Sequence, residues 1–282
     1  MTQLQAALAG RVTPAMEQVA HDENLEPEAI RRAVAAGRAV IPLNPAHRGV
    51  TPVGVGRMFR TKVNANLGRS PMRSGCGTEL DKLRVALAAG ADFVMDLSVG
   101  PDLRNIRQGM LDACPQPLGT VPVYETIARQ EGTEDIPVLD VDLLLKVIRE
   151  QAEQGVDFMT LHAGLLRDHI PHALKRIMGI VRRGGAIMAE WMQQHGRENP
   201  LYTRWDEVLD ILVEHDVTVS LGDGLRPGCL ADASDTAQFS ELDTLGELVH
   251  RTRARGVQVM VEGPGHIPFD QIRENMERQQ RV

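Results

Sequence analysis

Short β-rich runs along this chain end, one after another, in a polar residue close to Gly or Pro. They cover residues 60–66, 92–98, 118–124, 157–164, 179–185, 217–228 and 257–266, and each is followed by enough chain for a helix. Repeating strand–loop–helix units are typical of the β/α barrel, which carries its chemistry at the C-terminal ends of its strands. The side chains at those ends are therefore expected to converge on one site.

The segment GDGLRPG at 222–228 is the most specific of the local motifs. Its glycines and proline form a loop that lets backbone approach a ligand closely, and it contains Asp223, Gly224, Leu225 and Arg226. A carboxylate beside a guanidinium suits a ligand with a hydroxyl or amine at one end and a phosphate or carboxylate at the other. From composition alone, a structural Asp–Arg pair that holds a tight loop is the alternative.

Glu262 and His266 lie on one predicted strand-end loop, in VEGPGHIP at 261–268. The Gly-Pro-Gly between them excludes the helical arrangement in which two zinc ligands share one face. A carboxylate buried at a strand end needs a partner, so we expect Glu262 to contact a substrate. His266 is a candidate metal ligand, but a single histidine does not make a metal site.

Four further candidates stand at or near strand ends: Asn66 in KVNAN, Met95 in VMDLS, Tyr124 in VPVY and His162 in LHAG. A buried imidazole at such a place either serves a substrate oxygen, as donor or general acid, or bonds a neighbouring carbonyl. The Tyr124 phenol either donates to a ligand or closes the rim. Met95 is more typical of core filling than of a contact surface.

Arg182 and Arg183 precede Gly184 and Gly185. This pattern resembles a phosphate grip, in which backbone amides are supplemented by guanidinium groups. The alternative is a pair of solvated surface arginines. Because polar groups recur at seven successive strand ends, the pattern favours a shared site over independent surface residues.

The alternating strand and helix signals that position these residues predict an α/β fold of the (β/α)8 TIM type. We count about seven βα units where a closed barrel needs eight, so the first and seventh strands are expected to have open edges. Helical signals at 14–20 and 26–37 precede a connector rich in Pro and Gly. We therefore predict an N-terminal helical cap over 1–58 and an incomplete, substrate-binding barrel over 59–282.

Length and charge narrow the class of protein. With 282 residues, the chain is long enough for one barrel domain, and its net charge of −7 argues against a nucleic-acid-binding surface. Cys76, Cys114 and Cys229 form no CxxC pair, so they predict neither a disulfide framework nor a metal site. No secretory signal and no membrane-spanning apolar stretch are visible. We expect a cytoplasmic protein without nucleic-acid or membrane partners.

Eight segments, taken in order, closely resemble the phosphomethylpyrimidine synthase family of thiamine biosynthesis. They are KVNANLG, VMDLS, GTVPVYE, LHAG, RRGG, GDGLRPG, ADASDTAQFSELDTLGEL and VEGPGHIP. The resemblance covers nearly the whole chain and implies a β/α-barrel lyase of a non-standard radical S-adenosylmethionine type. It also implies the rearrangement of aminoimidazole ribonucleotide into hydroxymethylpyrimidine phosphate.

The resemblance further implies the residues and cofactors of the site. It places substrate contacts at Asn66, Met95, Tyr124, His162, Arg182, Arg183, Gly184, Asp223, Gly224, Leu225, Arg226 and Glu262, and a divalent metal, commonly zinc, at His266. The family uses S-adenosylmethionine and a 4Fe–4S cluster and is typically a homodimer. One departure is Arg182, which stands where the family usually has Ser. That extra cation either tightens phosphate binding or crowds the pocket.

A larger departure concerns the cluster motif CxxCxxxxC, which this sequence does not contain. Three thiolates of that spacing leave one iron open for S-adenosylmethionine, so we expect this chain by itself to be unable to generate the radical. Two alternatives remain open. One is 5-hydroxybenzimidazole synthase, which uses the same ribonucleotide for cobamide synthesis, and the other is a degenerate, non-catalytic nucleotide-binding module.

Overall fold

The structure is a computed structural model that describes residues 1–69, 76–130 and 139–282. Within these ranges, most helices lie between consecutive strands of one sheet. The α-helices are α1 (Gln3–Leu8), α2 (Pro14–Asp22), α3 (Pro27–Ala35), α4 (Cys76–Ala88), α5 (Leu103–Ala113), α6 (Pro122–Gln130), α7 (Val141–Gln154), α8 (Ile170–Ala173), α9 (Arg183–His195), α10 (Pro200–Thr203), α11 (Trp205–His215), α12 (Thr236–Ala254) and α13 (Ile272–Gln279).

Six parallel strands form the main sheet, and their order in space is their order in the sequence. They are β3 (Asn64–Leu67), β4 (Phe93–Asp96), β5 (Leu118–Thr120), β6 (Phe158–Leu161), β7 (Thr218–Leu221) and β8 (Val259–Val261), with a separate antiparallel pair of β1 (Ala39–Val40) and β2 (Val55–Gly56). Parallel strands in consecutive order with helical connections are the arrangement of a TIM-type barrel. This order confirms the predicted α/β class, with β3 and β8 at its two ends.

The predicted strand over 179–185 is wrong. The chain turns at Gly179, which has a φ of +60°, and α9 already begins at Arg183. Strands β6 and β7 pair directly, with Phe158 in register with Thr218, which leaves no place between them for another strand. The sheet of the described residues therefore has six strands, one fewer than the seven units predicted.

The predicted run over 118–124 also ends earlier than expected. Strand β5 stops at Thr120, and Tyr124 lies in the first turn of α6. Proline is favoured at the first helical position because it has no N–H to leave unpaired and its φ suits a helix, and Pro122 occupies that position. Tyr124 is therefore presented by a helix start rather than by a strand end.

Local capping sets several helix boundaries. Thr13 accepts the Met16 amide at the start of α2, Asp140 accepts two amides at the start of α7, and Asp235 caps α12 in the same way. These side chains satisfy backbone donors that have no partner within the helix. Gly155 ends α7 with a φ of +113°, a conformation that glycine adopts without steric cost.

Apolar side chains from both sides of the sheet fill the core. Helix α11 contributes an apolar stripe of helical spacing, Trp205, Val208, Leu209 and Leu212, all of which are buried. The indole Nε1 of Trp205 donates to Thr252 Oγ1 at 3.1 Å, so its polar atom is satisfied inside the core. No helix of the described residues is both long and apolar enough to cross a bilayer.

The N-terminal segment packs where the parallel strands begin. Asp157, just before β6, accepts the Asn44 amide at 2.9 Å and lies 2.6 Å from His47 Nδ1. Gln258, just before β8, bonds both the N–H and the C=O of Ile41. Helices α1 to α3 also share a small apolar cluster of their own. These contacts hold the segment at the edge of the sheet opposite to the strand ends that carry the candidate residues.

Candidate functional site

The β3 end of the sheet presents Asn66 and Met95 side by side. Asn66 is in register with Met95 of β4, and register partners in a parallel sheet project to the same face. The Nδ2 of Asn64 donates to Asn66 Oδ1 at 2.7 Å, which confirms that the two asparagines share a face. Asn66 is exposed, whereas Met95 is buried and contributes to the core.

At the other end of the sheet, Arg182 joins the ends of β6 and β8. Its Nε donates to His162 Nε2 at 3.0 Å, and its Nη2 donates to Glu262 Oε2 at 2.7 Å. Thr160, two residues before His162, donates to the other oxygen of Glu262 at 3.4 Å. Since a hydrogen bond between ionised partners is roughly twice as strong as a neutral one, the Arg182–Glu262 pair is the firmest contact of this group.

His162 is held as a neutral imidazole. It is 1% exposed, and burial, followed by the positive charges of Arg182 and Arg226, lowers its pKa to about 3. Because Nε2 accepts from Arg182, the ring proton resides on Nδ1, which has no hydrogen-bond partner. Gly184 packs against this ring so closely that a methyl group there would overlap it. The site therefore uses His162 in its uncharged form.

The loop after β7 places an acidic and a basic side chain, Asp223 and Arg226, at the same C-terminal edge of the sheet. Asp223 Oδ1 lies 4.0 Å from Arg226 Nη1, and the Asp223 side chain is buried while that of Arg226 is partly exposed. Neither carboxyl oxygen of Asp223 accepts a hydrogen bond from an N–H or hydroxyl donor, and the neighbouring polar group is the carboxyl of Glu262. A buried carboxyl left without a full partner is costly, so this one is placed for a ligand, a water or a proton.

Glu241 of α12 supports the same loop from behind. Its Oε2 accepts the amide of Leu225 at 2.7 Å, and its carboxyl is 2% exposed. Burial raises the pKa of Glu241 to about 8. Burial, followed by the nearby Glu262 and Glu241 carboxyls, raises the pKa of Asp223 to about 9. At neutral pH both Asp223 and Glu241 therefore hold protons, and each can donate as well as accept.

Tyr124 and Arg183 form the outer part of the site. The Arg183 guanidinium lies over the Tyr124 ring, 5.1 Å from its centroid, in a cation–π arrangement. Burial raises the pKa of the Tyr124 phenol, which also senses the charges of Arg182, Glu262 and others nearby. The neutral phenol of Tyr124 at the start of α6 and the cation of Arg183 at the start of α9 thus lie beside the cluster of His162, Arg182 and Glu262.

A sequence profile of the Radical SAM ThiC family matches residues 2–282 of this chain. The chain belongs to the radical SAM ThiC family. Curated relatives agree: a phosphomethylpyrimidine synthase of Natronomonas pharaonis is 57% identical over 281 residues, and one of Halobacterium salinarum is 56% identical over 281 residues. Phosphomethylpyrimidine synthase 1 of Methanosphaera stadtmanae is 50% identical over 285 residues. The family resemblance that the motifs predicted is confirmed.

The chain spans 58% of the length of the first two of these relatives and 66% of the third. In each case the match covers 100% of the chain itself. Among solved structures, a Xanthomonas albilineans dihydropteroate synthase with 4-aminobenzoic acid aligns with a TM-score of 0.45 at 14% identity. That alignment covers 86% of this chain and 76% of the other.

Membership of the radical SAM ThiC family suggests S-adenosylmethionine and an iron–sulfur cluster. The described residues do not contain a set of side chains that would bind such a cluster or a metal ion. His266 lies exposed on the loop after β8, and no group of three or more His, Cys, Asp or Glu in the described ranges could hold a metal ion. Cys114 is buried and Cys229 partly buried, and both are free thiols.

Two residues of the site were not predicted. Thr160 bonds Glu262, and Glu241 accepts the Leu225 amide. Thr160 is two residues before His162, so the two-residue alternation of a strand could have revealed it. Glu241 depends on a contact between elements distant in the sequence, for which the sequence holds no local signal.

Proposed function

We propose that this chain forms the substrate-binding region of a phosphomethylpyrimidine synthase. The observation that carries the proposal is the joining of His162, Arg182 and Glu262 beside the Asp223–Arg226 loop, at the C-terminal edge of a parallel sheet. Such a site presents guanidinium groups and buried acids side by side. The guanidinium groups suit the phosphate of a ribonucleotide, and the acids suit its hydroxyl or amino groups. The names of the relatives support this choice of ligand.

The arginines would hold the phosphate of aminoimidazole ribonucleotide. Arg226 is partly exposed and lies 4.0 Å from Asp223, so most of its donors are open to a ligand. Arg183 is exposed at the first turn of α9, where free backbone amides favour an anion. Arg182 already donates to His162 and Glu262, so it would contribute to the field of the site more than to direct phosphate contacts.

The acids and the imidazole would orient the rest of the ribonucleotide. Protonated Asp223 can donate to a ring nitrogen or accept from an amine, while Glu262 accepts hydroxyl or amino donors. The neutral His162 would position these groups, since its low pKa keeps it from being the imidazolium that a general acid needs at neutral pH, although its Nδ1–H can still donate a hydrogen bond. Tyr124, Asn66 and the buried Met95 would complete the contacts around the ligand.

The cofactors and partners of the whole protein are part of the proposal. S-adenosylmethionine and a 4Fe–4S cluster would supply radical chemistry, with ligands beyond those of the described residues. His266 would be one ligand of a divalent metal, zinc being the expected ion, and it needs partners that the described residues do not provide. We also propose a homodimer located in the cytoplasm, with residues 1–58 as a helical cap on the barrel of residues 59–282.

The test is product analysis with the complete protein, reconstituted without oxygen and supplied with S-adenosylmethionine and aminoimidazole ribonucleotide. Hydroxymethylpyrimidine phosphate, detected by mass spectrometry, is the expected product. Hydroxybenzimidazole would instead establish the cobamide alternative, which none of the relatives described above supports by name. Tight binding of the ribonucleotide without any product would identify a non-catalytic nucleotide-binding module.

A further inference from the structure

Glu241 lies directly behind the loop that carries Asp223 and Arg226. Its carboxyl accepts the Leu225 amide at 2.7 Å, whereas the Gly224 amide donates to the Gly222 carbonyl at 3.1 Å and the Arg226 amide to the Asp223 carbonyl at 3.3 Å. Leu225 lies between Asp223 and Arg226. The Glu241 carboxyl is therefore the side chain that ties this self-bonded turn to α12, and the orientation of both functional side chains depends on that tie.

Close packing makes this support specific. A methyl group on Gly224 would lie 3.0 Å from Glu241 Oε1 and 3.3 Å from Gly185 Cα, so the loop backbone is enclosed between α12 and α9. Gly185, in turn, has no room for a side chain, because a methyl group there would overlap the Gly224 carbonyl. Because the contact between α9 and the loop is made by two glycines, the loop backbone packs tightly there, and a shift of the Glu241 carboxyl would shift the loop backbone with it.

The Glu241 carboxyl also borders a cavity next to the proposed ligand-binding residues. A small cavity of about 20 Å³ is bordered by Asp223, Arg226, Glu241 and Glu262, and that volume is enough for one water or one small donor group. Glu241 Oε1 is buried without a hydrogen-bond partner. Charged groups that act on Glu241 come from three neighbouring segments, namely Arg176, Asp223 and Glu262.

We propose that Glu241 is a positioning residue of the ribonucleotide site, which sets the loop geometry of Asp223 and Arg226 through the Leu225 amide between them. The inference rests on the proposed function, because the ligand probe is aminoimidazole ribonucleotide. It predicts that removing the acceptor loosens the loop and weakens ligand binding. Replacing the carboxyl by an amide, which keeps an acceptor oxygen, preserves both.

The test compares Glu241→Leu and Glu241→Gln with a matched control, Gln238→Leu. Gln238 lies one turn earlier on α12 and borders the same cavity, but it bonds the Ser234 amide and Asn275 rather than the loop. Calorimetry with aminoimidazole ribonucleotide measures the dissociation constant. Hydrogen exchange of residues 222–226 without ligand measures loop mobility, and thermal unfolding shows whether each variant folds.

Glu241→Leu is expected to speed exchange at the Leu225 amide and to weaken binding by about tenfold or more, since a buried amide loses its acceptor. Glu241→Gln should restore both within about threefold. Gln238→Leu should lower the melting temperature while leaving binding within about threefold of wild type. Unchanged exchange in Glu241→Leu, or equal losses of binding in Glu241→Leu and Gln238→Leu, would overturn the inference. Absence of binding to wild type would instead refute the proposed function, and the exchange result would still decide the role of Glu241.

Discussion

Because buried Glu241 is protonated, the free energy of unfolding should depend on pH, and the substitution Glu241→Gln measures its share of that dependence. Its pKa is raised to about 8 by burial, from an ordinary value of 4.5. A carboxyl whose pKa is raised on folding contributes stability that is fully present below 4.5 and is lost as the pH rises through 8. Glu241→Gln keeps the size and the acceptor oxygen but cannot ionise. The variant should therefore lose less stability than wild type at alkaline pH.

The magnitude follows from the interval between the two pKa values. At about 1.4 kcal/mol per pH unit, the interval from 4.5 to about 8 corresponds to roughly 5 kcal/mol in the free energy of unfolding. Between pH 6 and pH 8, the part attributable to Glu241 is roughly 2 kcal/mol. Asp223 titrates in a neighbouring range, so the difference between variant and wild type is more informative than either curve alone.

Urea unfolding, followed by circular dichroism at several pH values from 6 to 8.5, measures this difference. Glu247→Gln is the matched control, because Glu247 is an exposed glutamate on the same helix. The free energy of Glu241→Gln minus that of wild type should grow by roughly 2 kcal/mol over this range, while the control stays parallel to wild type. A constant difference between pH 6 and 8.5 would mean that Glu241 is ionised or solvated in the native state, which contradicts the buried support described for the loop.

Three further substitutions probe the site and its supports. Arg182→Ser should weaken ribonucleotide binding less than Arg226→Ala does, because Arg182 already donates to His162 and Glu262; equal dissociation constants from calorimetry would refute this. Gly184→Ala should lower the free energy of unfolding by about 1–3 kcal/mol, because its methyl group would overlap the His162 ring, and unchanged urea unfolding would contradict that packing. Asp157→Asn should cost about 3–5 kcal/mol by breaking a buried pair with His47, and a loss below about 1 kcal/mol in the same assay would show the pair to be dispensable.

Much of the fold could be predicted because strand signals are local. The buried runs around Phe93, Phe158 and Thr218 are bounded by turn residues, and each forms a strand as expected. The motif order also identified the family correctly. A short β-rich run with polar residues at its end was sufficient evidence for a strand in these cases, since all four residues of each strand are buried.

Two of the runs misled for a physical reason that a local pattern does not contain. The run at 179–185 contains the β-branched pair Ile180 and Val181, but Gly184 and Gly185 make close contacts with His162 and Gly224, and the chain is helical from Arg183. The run ending at Tyr124 contains Pro122, which starts a helix. In both places, packing between distant elements or the onset of a helix overrides the local β preference.

The sequence predicted which strand-end residues lie near one another, but not the residues that support them. His162, Asp223 and Glu262 follow three parallel strands, whose C-terminal ends meet at one edge, and the structure brings His162 and Glu262 together through Arg182. Their role in a ligand site stays a prediction. Glu241 could not be distinguished from Glu247, because both are acids on one helix and only their burial separates them. That burial arises from the approach of the loop after β7, which no spacing within α12 indicates.

The affinity of this chain for aminoimidazole ribonucleotide tests the central claim most directly. Calorimetry at neutral pH should give saturable binding of one ribonucleotide per chain to the wild type. Arg226→Ala should weaken that binding by about tenfold or more, because a charge-assisted contact with the phosphate is lost. Equal affinity of wild type and Arg226→Ala, or no binding to either, would contradict the assignment of this edge of the sheet as the ribonucleotide site.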